Sequence, residues 1–256
     1  MKTYKVNLDY AYPVARIHAL ETKLLKKKDV EEFVSLPDED SLISFLNNIG
    51  YGTKTENINT MISEEIKNTI NLVESITPEY DRPLIQIFRE IDKPEPNRWT
   101  YFLEISKKND FVNEFLKILI DIENIKLFFK FKFFNIKQEI FEKYLSSEGT
   151  LSKNFFIENY SKPITDIISQ LKFTQYDFIE RAPSEENIFE IEKIFDDYII
   201  EYLSENSKYC FFNIAPLVNF IFLKKFEAQM ILTIWHGKIN KIQKEKITRN
   251  LRKIYS

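Results

Sequence analysis

Apolar residues recur along this chain at steps of three and four almost from end to end. Between Phe111 and Phe133 the positions Phe111, Phe115, Ile118, Leu119, Ile122, Ile125, Phe129 and Phe133 trace the stripe of a helix. Leu116, Ile120, Leu127 and Phe131 fall between them, so the stripe is wide. A helix this apolar needs neighbours on several sides. "ARIHALETKLL" (Ala15 to Leu25) and "FEAQMILTIWHGKI" (Phe226 to Ile239) are written in the same way. No segment shows a convincing strand alternation, and the pattern predicts an all-α fold.

Breaks in the pattern predict the helix ends. In "SLPDEDSLISFL" Pro37 opens a helix, and Asp38 to Asp40 put acids where the helix dipole favours them. "NIGYGT" (Asn48 to Thr53) is a stop with two glycines. "DKPEPNRW" (Asp92 to Trp99) is the strongest loop, because two prolines remove backbone donors. "SSEGTLSKNF" (Ser146 to Phe155) is a turn with Thr150 or Ser152 as N-cap. "RAPSEENIFEIEKIF" starts a helix at Ser184. His236-Gly237 reads as a helix C-cap. No long linker interrupts the chain, so residues 1–256 are expected to form one domain.

The three apolar segments can be set in register through Ile17, Ile125 and Ile231. Leu20, Phe128 and Ile234 then coincide, and Asp121 and Glu227 each stand four residues before their isoleucine. A short charged helix follows each segment: "DVEEFVSL", "QEIFEKYL" and "KEKITRNLRKIY". One helical unit written three times accounts for this. The chance alignment of amphipathic helices accounts for it as well.

Composition narrows the chemistry. Only 4 glycines occur, too few for the phosphate loops and strand ends of a doubly wound α/β enzyme. A formal net charge of −3 with both signs interspersed does not suggest a nucleic-acid binder. The lone Cys210 sits in "YCFFNIAPL" and reads as a buried small hydrophobe in a reducing compartment. The N-terminus lacks a signal-like apolar core. Phe211 to Leu223, the most apolar run, is shorter than the about 20 residues that span a bilayer. A soluble or peripheral protein is therefore expected.

No catalytic constellation stands out. His18 and His236 lie in no zinc-ligand spacing, and no P-loop, GxSxG or GxGxxG occurs, so neither metal nor cofactor is expected. Asp196, Asp197 and Glu201 cluster on one helix, as acids that hold Mg²⁺ for prenyl diphosphate chemistry do. No facing acidic motif accompanies them, and they read as a solvated helix face whose neutralisation leaves stability unchanged. The lysine-rich runs "KLLKKKD" and "KINKIQKEKITRNLRK" read as solvated faces or as docking sites for an acidic protein or anionic membrane. Polar groups on the three apolar helices are the candidate docking residues: Arg16 and Glu21; Asp121, Asn124 and Lys126; Glu227, Gln229 and Lys238. A largely buried helix keeps a charge only where it meets a partner, water or a counter-ion.

The segments "YAYPVARIHALETKLL", "DIENIKLFFKFK" with "EGTLSKNFF", and "PLVNFIFLKKFEAQMILTIWHGKINKIQKEKITRNLRKIY" together resemble the C subunit of V-type (A/V-type) ATPases, whose eukaryotic equivalent is the d subunit. The likeness covers nearly the whole chain. It departs at Met230-Ile231-Leu232, where the family often has Asn-Ile-Arg, and this chain is shorter than usual members. The resemblance implies three similar helical units around a pseudo-threefold axis, forming a funnel on the cytoplasmic face of the membrane. It implies a peripheral, non-catalytic central-stalk component that links the stalk to the rotor ring for ATP-coupled proton or sodium transport. The rival readings are a helical adaptor unrelated to a pump and an all-helical Mg²⁺-dependent enzyme using Asp196 and Asp197.

Overall fold

The computed structural model describes residues 7–93, 95, 97–181 and 188–252, and among these there is no strand. The helices are α1 (Ala11–Glu21), α2 (Lys27–Ser35), α3 (Glu39–Asn48), α4 (Ile58–Ile76), α5 (Arg82–Glu90), α6 (Arg98–Ser106), α7 (Asp110–Phe133), α8 (Gln138–Tyr144), α9 (Lys153–Tyr160), α10 (Ile164–Leu171), α11 (Ile188–Ser207), α12 (Ala215–Ile239) and α13 (Lys244–Arg249). Short 3₁₀ turns cover Leu8–Tyr10, Glu79–Asp81 and Asp177–Arg181. The all-α expectation holds. No helix among the described residues is long and apolar enough to cross a membrane.

Several helix ends follow local chemistry. Asp38 caps α3 by accepting the Ser41 amide at 2.8 Å, and Glu39 and Asp40 occupy the first turn. Ser152 caps α9 through the Phe155 amide at 3.2 Å. Gly50 and Gly52 lie at φ of 71° and 62°, as the stop at "NIGYGT" requires. The helix start expected at Ser184 and the two prolines of "DKPEPNRW" lie outside the described residues.

The C-cap expected at His236-Gly237 is displaced. Helix α12 runs on to Ile239, and the left-handed residue that ends it is Lys241, at φ 52°. Gly237 is needed for a different reason: a Cβ there would collide with the side chain of Ile247 on α13. Cys210 is half-buried rather than enclosed.

The chain forms two compact units. Residues 1–93 and 197–256 make the first, and residues 94–196 make the second. In the first, α12 is buried along most of its length and packs on α4, α1, α3, α5 and α13. Ala228, Met230, Ile231 and Ile234 join Phe33, Leu42, Leu46 and Met61 in one core cluster. In the second, α7 packs against α6, α8 and α9. Phe128 meets Phe141, Phe156 and Tyr160 with ring centroids 5.8, 6.4 and 5.7 Å away, and Phe141 stacks on Tyr160 at 4.4 Å.

Candidate functional site

The charged groups carried by the two long helices serve as braces, and the two units use the same bracing scheme. In the second unit Asp121 is fully buried on α7. Its Oδ1 accepts the Leu151 amide at 3.0 Å, and its Oδ2 accepts the Thr150 amide at 3.1 Å and the Tyr176 hydroxyl at 2.8 Å. The Thr150 hydroxyl donates to it as well. Gly149 leaves room for this carboxylate, since a Cβ there would strike it. Leu151 immediately precedes Ser152, the N-cap of α9, so Asp121 ties the entrance of α9 to the middle of α7.

In the first unit Glu227 is fully buried on α12. Its Oε2 accepts the Leu25 amide at 2.7 Å. Leu25 immediately precedes Lys26, the N-cap of α2. The second carboxylate oxygen takes Lys224 Nζ at 2.8 Å, and Lys224 also reaches Glu65 Oε1 at 2.8 Å. Glu65 in turn accepts the Gly52 amide at 3.1 Å. One ammonium thus joins two carboxylates, each of which also holds a backbone amide. Burial by itself would lower the Lys224 pKa, but Glu227 and Glu65 outweigh it and hold the group above the usual lysine range.

The correspondence extends to the far end of each short helix. Lys132 Nζ, on α7, donates to the carbonyls of Tyr160 at 2.8 Å and Lys162 at 2.7 Å, at the C-terminus of α9. Lys238 Nζ, on α12, donates to the carbonyls of Val34 and Leu36, at the C-terminus of α2. A cation at a helix C-terminus also suits the helix dipole. The long helices end alike. The Phe134 amide bonds to Lys130 O and the Ile136 amide to Phe131 O, with Asn135 at φ 51°. The Asn240 amide bonds to His236 O and the Ile242 amide to Gly237 O, with Lys241 at φ 52°. So α7, α8 and α9 correspond to α12, α13 and α2. The sequence register sets "DVEEFVSL" (α2) beside "QEIFEKYL" (α8), whereas the hydrogen bonds set it beside α9.

The remaining candidates are spread out. Asn124 is buried and clamps Ser146, donating to its carbonyl at 2.9 Å and accepting its amide at 3.0 Å. Lys126 pairs with Asp196 at 3.2 Å and lies 5.8 Å from the Phe195 ring centre. That pairing corrects the reading of Asp196 as a solvated acid, because Asp196 is only 6% exposed. Glu21 meets His18 Nδ1 at 2.8 Å. Arg16 and Gln229 are exposed. Ile17, like Ile125 and Ile231, is fully buried, but the position four residues before it is Pro13, which has no carboxylate to offer.

Sequence reasoning missed Lys224, Lys132 and Tyr176. It also missed Glu123, which takes Arg98 through both oxygens at 2.7 and 2.8 Å together with Trp99 Nε1 at 2.8 Å. Lys224 carried a legible signal, an opposite charge three residues before Glu227 on the same helix.

Long buried helices with charges turned inward, each gripping short helices at both ends, define an all-helical structural scaffold. The ATP synthase (C/AC39) subunit family matches residues 99–250, more than half of the chain, and the chain belongs to that family. It is 24% identical over 265 residues to the C subunit of the A-type ATP synthase of Methanocaldococcus jannaschii, an alignment covering 95% of this chain and 66% of that protein. The chain thus spans just under two thirds of that relative's length. It is 21% identical over 329 residues to the C subunit of the A-type ATP synthase of Pyrococcus furiosus, covering 93% of this chain and 89% of that protein.

Proposed function

We propose that this chain is a non-catalytic coupling component of an A/V-type rotary ATPase. It links the rotating central stalk to the membrane rotor ring for ATP-coupled proton or sodium transport. Membership of the ATP synthase (C/AC39) subunit family carries the reading. The braces supply its physical side. A part that passes torque must resist deformation, and fully satisfied buried polar networks rigidify a core. Asp121 and Glu227 commit their oxygens to such networks.

In this reading docking falls to the polar groups left at the surface, Arg16 and Gln229, with the half-buried Glu21 beside His18. Asp121, Asn124, Lys126, Glu227 and Lys238 act through the stiffness they confer. The chain works as one domain of three helical units around a pseudo-threefold axis, peripheral to the cytoplasmic face of the membrane. The matched contacts of α7–α9 and of α12, α13 and α2 support two of the three units. The test is affinity capture with the tagged full chain from its own cells. Stalk and ring proteins are expected in the eluate, and repeated capture of neither would reject the proposal.

A further inference from the structure

Within the second unit, the end of α7 and the helix α8 leave large apolar side chains in the open. Phe133 and Phe134 are 44% and 57% exposed, and Ile140 and Tyr144 are 43% and 66% exposed. A single exposed apolar side chain is ordinary. These are grouped. The rings of Phe133 and Phe134 meet edge to face at 5.2 Å. Ile140 and Tyr144 stand one turn apart on the same side of α8. Tyr144 lies 5.7 Å from the half-buried Phe131, which stands three residues before Phe134 on α7. The group is also held in place. The left-handed Asn135 and the bond from the Ile136 amide to Phe131 O fix the turn between the two helices, and the buried Phe141 anchors α8. Rings fixed in advance lose little freedom on binding.

The charge around this group is one-sided. Residues 130–144 carry four lysines and two glutamates, in a chain whose formal charge is −3. Lys132 is committed to the carbonyls of Tyr160 and Lys162, and Glu142 accepts from Gln138. Lys130, Lys137 and Lys143 are exposed, and among the described residues none of them is ion-paired. Lys130 stands one turn before Phe134, and Lys137 and Lys143 each stand three residues from Ile140. Aromatic residues at the centre and charges at the rim are the anatomy of a protein interface. Glu139, exposed beside Ile140, would be repelled by an acidic bilayer, whereas a protein rim can set a cation opposite it.

We propose that this face of α7 and α8 is a docking surface for an amphipathic helix of a partner protein, one whose apolar stripe is bordered mainly by acids. The aromatic rings and Ile140 take the stripe, and the lysines fix its register by pairing with the acids. This surface is additional to the polar docking groups named above, and it survives or fails without the coupling role.

The test is fluorescence anisotropy of the full chain with a labelled helical peptide of about 18 residues that places leucines on one face between rows of glutamate. A twin peptide has lysine in place of each glutamate. The acidic peptide is expected to bind about tenfold more tightly than its twin, and to lose that advantage as salt is raised. Phe134→Ser with Tyr144→Ser should weaken it about tenfold. Lys137→Glu with Lys143→Glu, which spares the apolar group, should abolish the preference for the acidic peptide. Tyr101→Ser, which removes an equally exposed ring from α6, should bind as the parent does. Circular dichroism checks that each variant folds. Equal affinity for the two peptides, or Phe134, Tyr144 and lysine variants that bind like the parent, would overturn the proposal. So would flotation with phosphatidylglycerol vesicles, or a dimer in sedimentation equilibrium, that Phe134→Ser with Tyr144→Ser abolishes. The face would then serve a bilayer or a second copy of this chain.

Discussion

Asp121 and Glu227 perform the same task in two different units. Each is a fully buried acid on a long helix, and each holds the amide of the leucine just before the N-cap of a short helix, Leu151 and Leu25 respectively. A buried carboxylate is tolerated only when its oxygens are filled, and both are filled from within. The consequence is that each long helix fixes where a short helix begins, while Lys132 and Lys238 fix where it ends.

Removing Asp121 should therefore be costly. Asp121→Ala strands the amides of Thr150 and Leu151 and the hydroxyl of Tyr176, and is expected to cost about 3–5 kcal/mol. Asp121→Asn keeps an acceptor and is expected to cost less, about 1–3 kcal/mol. Gly149→Ala forces the carboxylate aside and should destabilise on its own. Combined with Asp121→Ala its effect should shrink, because the obstacle has gone. Urea unfolding of the four proteins reads all of this.

The Lys224 bridge makes a pH-dependent prediction. The Lys224 pKa is raised in the folded state, so its stabilisation is fully present below the unfolded lysine value of about 10.4 and is lost as pH rises through the folded value. Lys224→Met should remove that alkaline loss and cost about 3–5 kcal/mol near neutrality, since Glu227 and Glu65 are left facing each other. Burial already pushes the Glu227 carboxyl up, and protonating it relieves that repulsion, so the variant should gain stability as pH falls toward the carboxylate range. Thermal unfolding across pH measures it, and a variant with the parent's profile would contradict the bridge.

Asp196 is expected to matter for stability. Asp196→Asn should cost about 1–2 kcal/mol, and Lys126→Met should couple to it in a double-mutant cycle by about 1 kcal/mol or more. Purely additive effects would mean that the pair contributes nothing.

The helical pattern and the register of Asp121 with Glu227 were legible in the sequence because both follow from spacing along one helix. Their partners were not legible. Leu151 lies 30 residues from Asp121, and Leu25 lies 202 residues from Glu227, so no local pattern joins them. The same distance explains the misplaced α2. A short helix follows α1 just as one follows α7, but the sequence does not say which long helix receives α2. Asp196 failed differently: acids at helical spacing look solvated until a lysine from another helix is found against one of them. His236-Gly237 resembled a C-cap, yet the glycine serves helix packing against Ile247.

The proposed coupling role is tested most directly by the ratio of ions moved to ATP hydrolysed in pump complexes purified with and without this chain and reconstituted into vesicles. The account predicts that complexes lacking the chain still hydrolyse ATP but lose most ion transport, and that adding back the purified chain restores the ratio. An unchanged ratio without the chain, or ATP hydrolysis by the isolated chain that a point mutation within it abolishes, would contradict it.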